Sequence, residues 1–480
     1  MTARYIAFHA AERPDAIAIV NNGRGITYPE LSRDIRKFTR ALRAFGLPRG
    51  SKAVIDCDDA YFNWLLRLAF EELGVVTAAL KLAGKPETLS FLRDSDLVLS
   101  EKSPPPEIAR RHHATTPQWL RTIVEGTEPD EDSLPRKEPD DPIRIVLTSG
   151  TTGTPKRLLY TRRIHEASIG KTMWYAGFTR ASRYLLALPL TVAGPTACIR
   201  AGGTVVIESR MALGQAIATH GITHTTLPPF ALKRVLDDLP AGFSKPADLT
   251  ILSFGAGISR SLRETVLARL ATDLCDMYGS NEAGFVSSTR GIAEIGSVWP
   301  GVRVEVVDER DQPLPFGEKG RIRVRTDYML DGYLDYPQAQ GRIFKDGWFY
   351  AGDLGILHDA QRLQVIGRAD DLLNIGWNKI SPETLEELVS GAIEADDLGI
   401  CSVPSIDGIE EVFVVVSNAR GSDQELLQGI SRAFRGLQFG TFHIVKMKRI
   451  PRTANGKIHR KRLKEAVVGS LRTLRPDRRL

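Results

Sequence analysis

From Thr148 to Arg157 the chain reads TSGTTGTPKR, a run of residue types suited to one task. Gly150 and Gly153 let backbone amides come close to a ligand, and Thr148, Ser149, Thr151, Thr152 and Thr154 offer hydroxyl donors. Lys156 adds a mobile positive charge. A loop so built fits an oxyanion, phosphate above all. It is not the P-loop pattern of glycine, four residues, then Gly-Lys-Ser/Thr. Pro155 precedes the lysine, so no helix opens with that lysine packed on the phosphates. Composition alone would equally describe a flexible turn, and the role of the segment depends on its company. The other metal- and nucleophile-type residues point elsewhere. The nine histidines form no spaced cluster, and the pairs His112–His113 and His220–His224 read as surface or packing residues. Cys57, Cys198, Cys275 and Cys401 are scattered with no Cys-x-x-Cys pair, as expected of reduced structural thiols rather than disulfides or zinc ligands.

The elements that must position the loop read as α/β. At 480 residues, 42% hydrophobic and 25% charged, the chain has the balance of a globular protein with several cores. Residues 15 to 100 alternate short apolar runs with helical stretches. In one of these, Leu31, Ile35, Phe38 and Leu42 recur at helical spacing before Gly46. This alternation favours a largely parallel sheet and resumes from 184 to 300. The acidic, proline-rich stretch 126–142 is expected to be a surface loop leading into IRIVL and the Thr148 segment. Residues 301–367 alternate apolar and polar positions, as antiparallel strands with one wet face do. A third texture follows. SPETLEELVSGAI predicts a helix with Ser381 as N-cap, Pro382 at its first position and an apolar stripe of Leu385, Leu388, Val389, Ala392 and Ile393. EVFVVVS predicts a strand and DQELLQGISRAFRGL another helix, which together make a small α+β unit. No run of about 18 apolar residues occurs and the first residues carry charges, so no membrane span is expected and the cytoplasm is the expected location.

Four further segments follow in order: YGSNEAG at 278, GWFYAGDLG at 347, GRADDLLNIGWNKISPETLEE at 367 and PRTANGKIHRKRL at 451. With these the chain resembles, from about residue 15 onward, the AMP-forming adenylating superfamily of acyl-CoA synthetases, peptide-synthetase adenylation domains and luciferases, most of all an acyl- or aryl-CoA synthetase. The resemblance implies a large N-terminal domain, residues 1–369, of α/β subdomains plus a distorted β-barrel. It also implies a small mobile α+β C-terminal domain, residues 370–480, turning on a hinge at Asp370. By position, Thr148 to Lys156 would hold the β- and γ-phosphates of ATP. Gly255, Ala256 and Gly257 would pass along the adenine, with Tyr278 packed on the base. Glu282 would hold Mg2+, and Asn281 would stand beside it at the α-phosphate. Asp353 would clamp the ribose hydroxyls and Arg368 would reach the same sugar. Lys457 would bind carboxylate and α-phosphate oxygens. Gly376 and Trp377 would line the thiol tunnel. The chemistry is coherent, because a carboxylate attacks another anion only when both are neutralised and held in line.

Three departures qualify the likeness. Asn281 replaces the usual threonine of that motif. The central segment LPLTVAGPTACIRAGG lacks the usual rings and is short. Trp377 replaces a glycine in IGWNK. The reaction expected is ATP-dependent formation of an acyl-adenylate from a small-molecule carboxylic acid, then acyl transfer to CoA. The alternative acceptor is the phosphopantetheine arm of an acyl carrier protein, and a further alternative is an inactive nucleotide-binding scaffold. Net charge is +6, yet Lys446 to Leu480 holds thirteen Lys/Arg against Glu465 and Asp477, a local +11 that leaves −5 elsewhere. No aromatic residues interleave with those cations and no groove-reading motif is present, so nucleic acid is not expected as a partner.

Overall fold

The computed structural model describes residues 2–80, 92–103, 111–127, 136–148, 156–187, 193–255, 258, 260–334, 341, 343–368, 373–375, 378–380, 382–405, 408–435, 437, 441–452 and 458–474. The helix expected from Leu31, Ile35, Phe38 and Leu42 runs Tyr28–Arg43. Thr27 and Glu30 cap it reciprocally. The Glu30 amide donates to Thr27 Oγ1 at 3.3 Å, and the Thr27 amide donates to the Glu30 carboxylate at 2.7 Å. All four stripe residues are buried, each worth about 1.5–3 kcal/mol against exposure. Gly46, with φ +62°, reverses the chain just beyond the helix.

Two sheets carry the chain as far as Arg368. The smaller has six strands in the order His112–Ala114, Leu97–Ser100, Lys52–Asp56, Val76–Ala79, Pro142–Thr148 and Lys156–Thr161. Its first five strands run parallel, and the last turns back antiparallel. The larger sheet has a parallel centre in which Thr250–Phe254 pairs with both His224–Thr226 and Asp273–Ser280. Beyond it, Arg183–Leu185 and Thr204–Ile207 lead to Ile17–Asn21, again parallel. On the other side, from Gly284–Arg290 to Val302–Val307, every pairing is antiparallel, as the alternating pattern of 301–367 predicts.

The expected α/β class therefore holds, with one correction. Among the described residues the antiparallel strands do not close into a barrel. Val302–Val307 is an edge, paired only with Lys319–Thr326, and the strands extend the parallel sheet.

The last hundred residues build a three-stranded sheet. Asp397–Pro404 pairs antiparallel, and Phe442–Lys446 parallel, with the central Glu410–Ser417. That central strand is buried on both faces. Val412, Val414 and Val416 join Leu385, Val389 and Ile430 in one core, while Phe413 and Val415 join Ile450, Leu463 and Val467 in another. This is why its sequence is a continuous apolar run. The helix Pro382–Ser390 is shorter than the expected stripe. Leu385 and Val389, one turn apart, are buried, but Leu388 is 42% exposed and Ala392 and Ile393 lie past the helix end. Ser381, the expected cap, is outside the described residues.

Candidate active site

Thr148 and Lys156 are paired at the end of an antiparallel ladder, so the chain on either side of residues 149–155 is pinned in a sheet. The loop from Ser149 through Gly150, Thr151, Thr152, Gly153 and Thr154 to Pro155 lies outside the described residues, as do Ala256, Gly257, Asp370, Gly376, Trp377 and Lys457. Lys156 is described. Its Nζ lies 4.7 Å from the centroid of the Tyr333 ring, a cation–π contact. The Tyr333 hydroxyl donates to Glu282 Oε1 at 2.8 Å. Burial and the Glu282 charge both raise the Tyr333 phenol, which keeps it a donor.

Glu282 sits in a three-residue turn, Asn281–Ala283, between Asp273–Ser280 and Gly284–Arg290. The turn is so tight that only glycine fits on either side of it. A Cβ on Gly279 would lie 2.3 Å from the Gly284 carbonyl oxygen, and one on Gly284, at φ +70°, would lie 2.6 Å from the Tyr328 ring. Two hydrogen bonds hold the turn directly, and a third anchors the segment that makes one of them. Tyr160, on the strand after the loop, donates its hydroxyl to the Asn281 carbonyl at 2.7 Å. The Leu330 amide donates to the Glu282 carbonyl, and the Leu334 amide to the Arg157 carbonyl, both at 2.9 Å. The segment 330–334 thus bridges the strand Lys156–Thr161 and the Glu282 turn, and brings Lys156, Tyr333 and Glu282 to one place. Asn281 itself is exposed.

Beside this turn, Tyr278 donates its hydroxyl to Asp353 Oδ2 at 2.7 Å, and Asp353 is only 6% exposed. Asp353 stands opposite Arg368 in the backbone register of the ladder between Trp348–Asp359 and Arg362–Arg368. Gly255, at φ +98°, ends Thr250–Phe254 on the neighbouring strand. Under the turn lies an aromatic wall. Phe254 and Phe285 meet edge to face with centroids 5.8 Å apart, Phe285 lies 5.4 Å from Trp299, and Trp299 stacks on Tyr175 at 4.6 Å. Neither Tyr333 nor this wall is marked by periodicity or motif spacing. Tyr333 lies in the Gly- and Asp-bearing stretch DGYLD, which composition alone reads as a turn.

Glu282 is a hard oxygen donor, and among the described residues no three His, Cys, Asp or Glu side chains gather as a metal cage. A single carboxylate suits Mg2+, which keeps most of its shell as water and substrate phosphate. The histidines pack as expected, with His224 bound to the Ala176 carbonyl and His112 to Ser100. All four cysteines are buried and none is in a disulfide. No helix among the described residues is long and apolar enough to cross a membrane.

Residues 6–334 match the model of the family described as AMP-binding enzyme. Over 501 aligned residues the chain is 25% identical to a fatty acid–[acyl-carrier-protein] ligase of Streptomyces coeruleorubidus, covering 96% of both chains. It is 28% identical to the sulfoacetate–CoA ligase of Cupriavidus necator, over 96% of this chain and 97% of that one. The fold is similar to that of a double mutant of the o-succinylbenzoate CoA synthetase from Bacillus subtilis. The TM-score is 0.79 and the identity 21%, over 96% of this chain and 98% of the other.

Proposed function

The chain belongs to the AMP-binding enzyme family, and from that premise we propose that it is an AMP-forming carboxylic acid–thiol ligase. One observation carries the reading: Lys156, Tyr333 and Glu282 converge where the threonine-rich loop leaves its ladder. A lysine and an acidic magnesium ligand at the mouth of a phosphate loop suit a triphosphate.

In the first half-reaction a carboxylate oxygen attacks the α-phosphorus of ATP, and pyrophosphate leaves with the electrons of the broken P–O bond. Thr148 to Lys156 hold the β- and γ-phosphates. Tyr278 and the Gly255–Gly257 backbone flank the base, and Asp353 with Arg368 takes the ribose. Glu282 holds Mg2+, which when bound spreads the charge of the phosphates. Lys457 neutralises the acid and the α-phosphate, and Asn281 donates its amide beside them. In the second half-reaction residues 370–480 turn about Asp370. A thiol then attacks the acyl carbonyl past Gly376 and Trp377, AMP leaves, and the thiol proton is released.

CoA is the acceptor this reading favours. The carrier-protein arm is the alternative, because one of the two relatives named loads an acyl carrier protein and the other uses CoA. With ATP and either thiol as co-substrates, and four reduced buried cysteines, the enzyme would work in the cytoplasm. The test is pyrophosphate release over a panel of carboxylic acids, with and without CoA. Release together with CoA consumption is expected for at least one acid. Release without CoA consumption would move the acceptor to a carrier protein. No release with any acid would favour a scaffold and overturn the proposal.

A further inference from the structure

The helix Ala60–Leu73, the strand Pro142–Thr148 and the helix Arg162–Ala176 enclose charged side chains that the reaction above does not use. Arg67 and Glu71 lie one turn apart on the first helix, Arg144 is on the strand, and Arg162 and His165 are on the second helix. Arg67, Glu71 and Arg162 are 3%, 5% and 2% exposed. Arg162 Nη1 donates to Glu71 Oε1 at 3.2 Å, and Arg144 Nη1 lies 3.4 Å from His165 Nε2. Burial and the neighbouring Arg144 push His165 far down, so its ring is neutral. Three guanidiniums therefore surround one carboxylate. The next acid is Asp141, 3.9 Å from Arg162 Nε and bonded also to Arg49. Its partial share of Arg162 leaves a deficit of between one and two negative charges.

The hydrogen-bond inventory points the same way. Arg67 Nη2, Arg144 Nε, Arg162 Nε and Nη2, and His165 Nδ1 are buried with no hydrogen-bond partner among the described residues. Guanidinium does not escape by deprotonation, and a buried cation without a partner is strongly unfavourable. Several unsatisfied N–H groups of one sign within one buried charged cluster are what an anion site requires.

We propose that Arg67, Arg144 and Arg162 form an interior binding site for a small monovalent anion, a halide or a planar oxoanion. The site borders the catalytic turn. Arg144 stands opposite Tyr160 in the ladder, and the Tyr160 hydroxyl donates to the Asn281 carbonyl. A filled site therefore steadies the strand that holds Asn281 and Glu282.

Crystals grown in sodium bromide should show an anomalous peak within contact of these guanidinium nitrogens. In solution the thermal midpoint should be higher in chloride than in gluconate at equal ionic strength, by about 2 °C at concentrations well above the dissociation constant. Nitrate and bicarbonate form parallel arms, and a larger rise with either identifies a planar oxoanion as the better occupant. Arg67→Met should lose most of the anion-dependent rise and should be at least as stable as the native chain in gluconate, since it removes a buried charge with little change in volume. A bromide-free cluster, native midpoints identical in all four salts, or a rise undiminished in Arg67→Met would each overturn the proposal.

Discussion

Tyr333 joins two functions in one ring: its face meets the Lys156 ammonium and its hydroxyl meets the Glu282 carboxylate. Tyr333→Phe keeps the face and deletes the hydroxyl. The expected result is an approximately fivefold rise in KM for Mg-ATP with kcat little changed, matching a hydrogen bond of about 1 kcal/mol. Pyrophosphate-release kinetics over a range of magnesium concentrations would measure it, and an unchanged magnesium dependence would contradict the role. The motifs that carry Lys156, Tyr278, Glu282 and Asp353 are legible in the sequence, and the structure joins Lys156 to Glu282 through Tyr333 and Tyr278 to Asp353. Tyr333 is not legible, because its partner is Glu282, 51 positions away, and nothing local requires a phenol in DGYLD. The aromatic wall of Phe254, Phe285 and Trp299 is hidden for the same reason, since its members come from three separate strands and turns.

Elements fix these side chains through close approaches and through ion pairs between helices. Gly284→Ala would place a methyl group in the Tyr328 ring at a left-handed φ. A loss of about 2 kcal/mol in stability is expected, with adenylation lowered at least about tenfold because the Glu282 turn must shift. Thermal unfolding and pyrophosphate exchange measured on one preparation would separate the two effects. The pair between the helices Ala60–Leu73 and Arg162–Ala176 sets a pH limit. Burial alone would raise the Glu71 carboxyl, yet the surrounding positive charges, Arg144 and Arg162 among them, outweigh it and hold it down at about 2 against an ordinary 4.5. A depressed carboxyl stabilises the fold above its unfolded value, and that stability is lost as pH falls from 4.5 toward 2. Glu71→Gln should therefore cost about 3 kcal/mol at neutral pH, with the gap from the native chain closing in that acid window. A gap constant from pH 7 to pH 3 in denaturant titrations would refute this. Helix Tyr28–Arg43 is readable because its apolar period runs unbroken up to Gly46, and strand Glu410–Ser417 because its apolar run is continuous. Leu388 misleads because apolar character does not say which side of a short helix meets the sheet, and the barrel rested on the resemblance alone, since alternation fixes a wet face and not closure.

On the scale of the whole molecule, the reaction proposed here needs a cation from the C-terminal residues at one step and not at the next. Lys457→Ala should lower acid-dependent pyrophosphate exchange by about 100-fold or more, while thiol transfer from supplied acyl-adenylate stays within about threefold. Equal losses in both assays would remove Lys457 from its assigned place. The large sheet carries a different consequence, one for the order in which the chain is made. Ile19 pairs with Val205, and both residues are fully buried in the core. At ribosomal rates of about 5–20 residues per second, the first strand waits on the order of 10–40 s for its neighbour. Through that interval Ile17–Asn21 has only the adjacent Arg24–Thr27 for a mate, so one side of a short two-stranded ribbon stays open, and nascent-chain chaperones that bind such edges would find a target there.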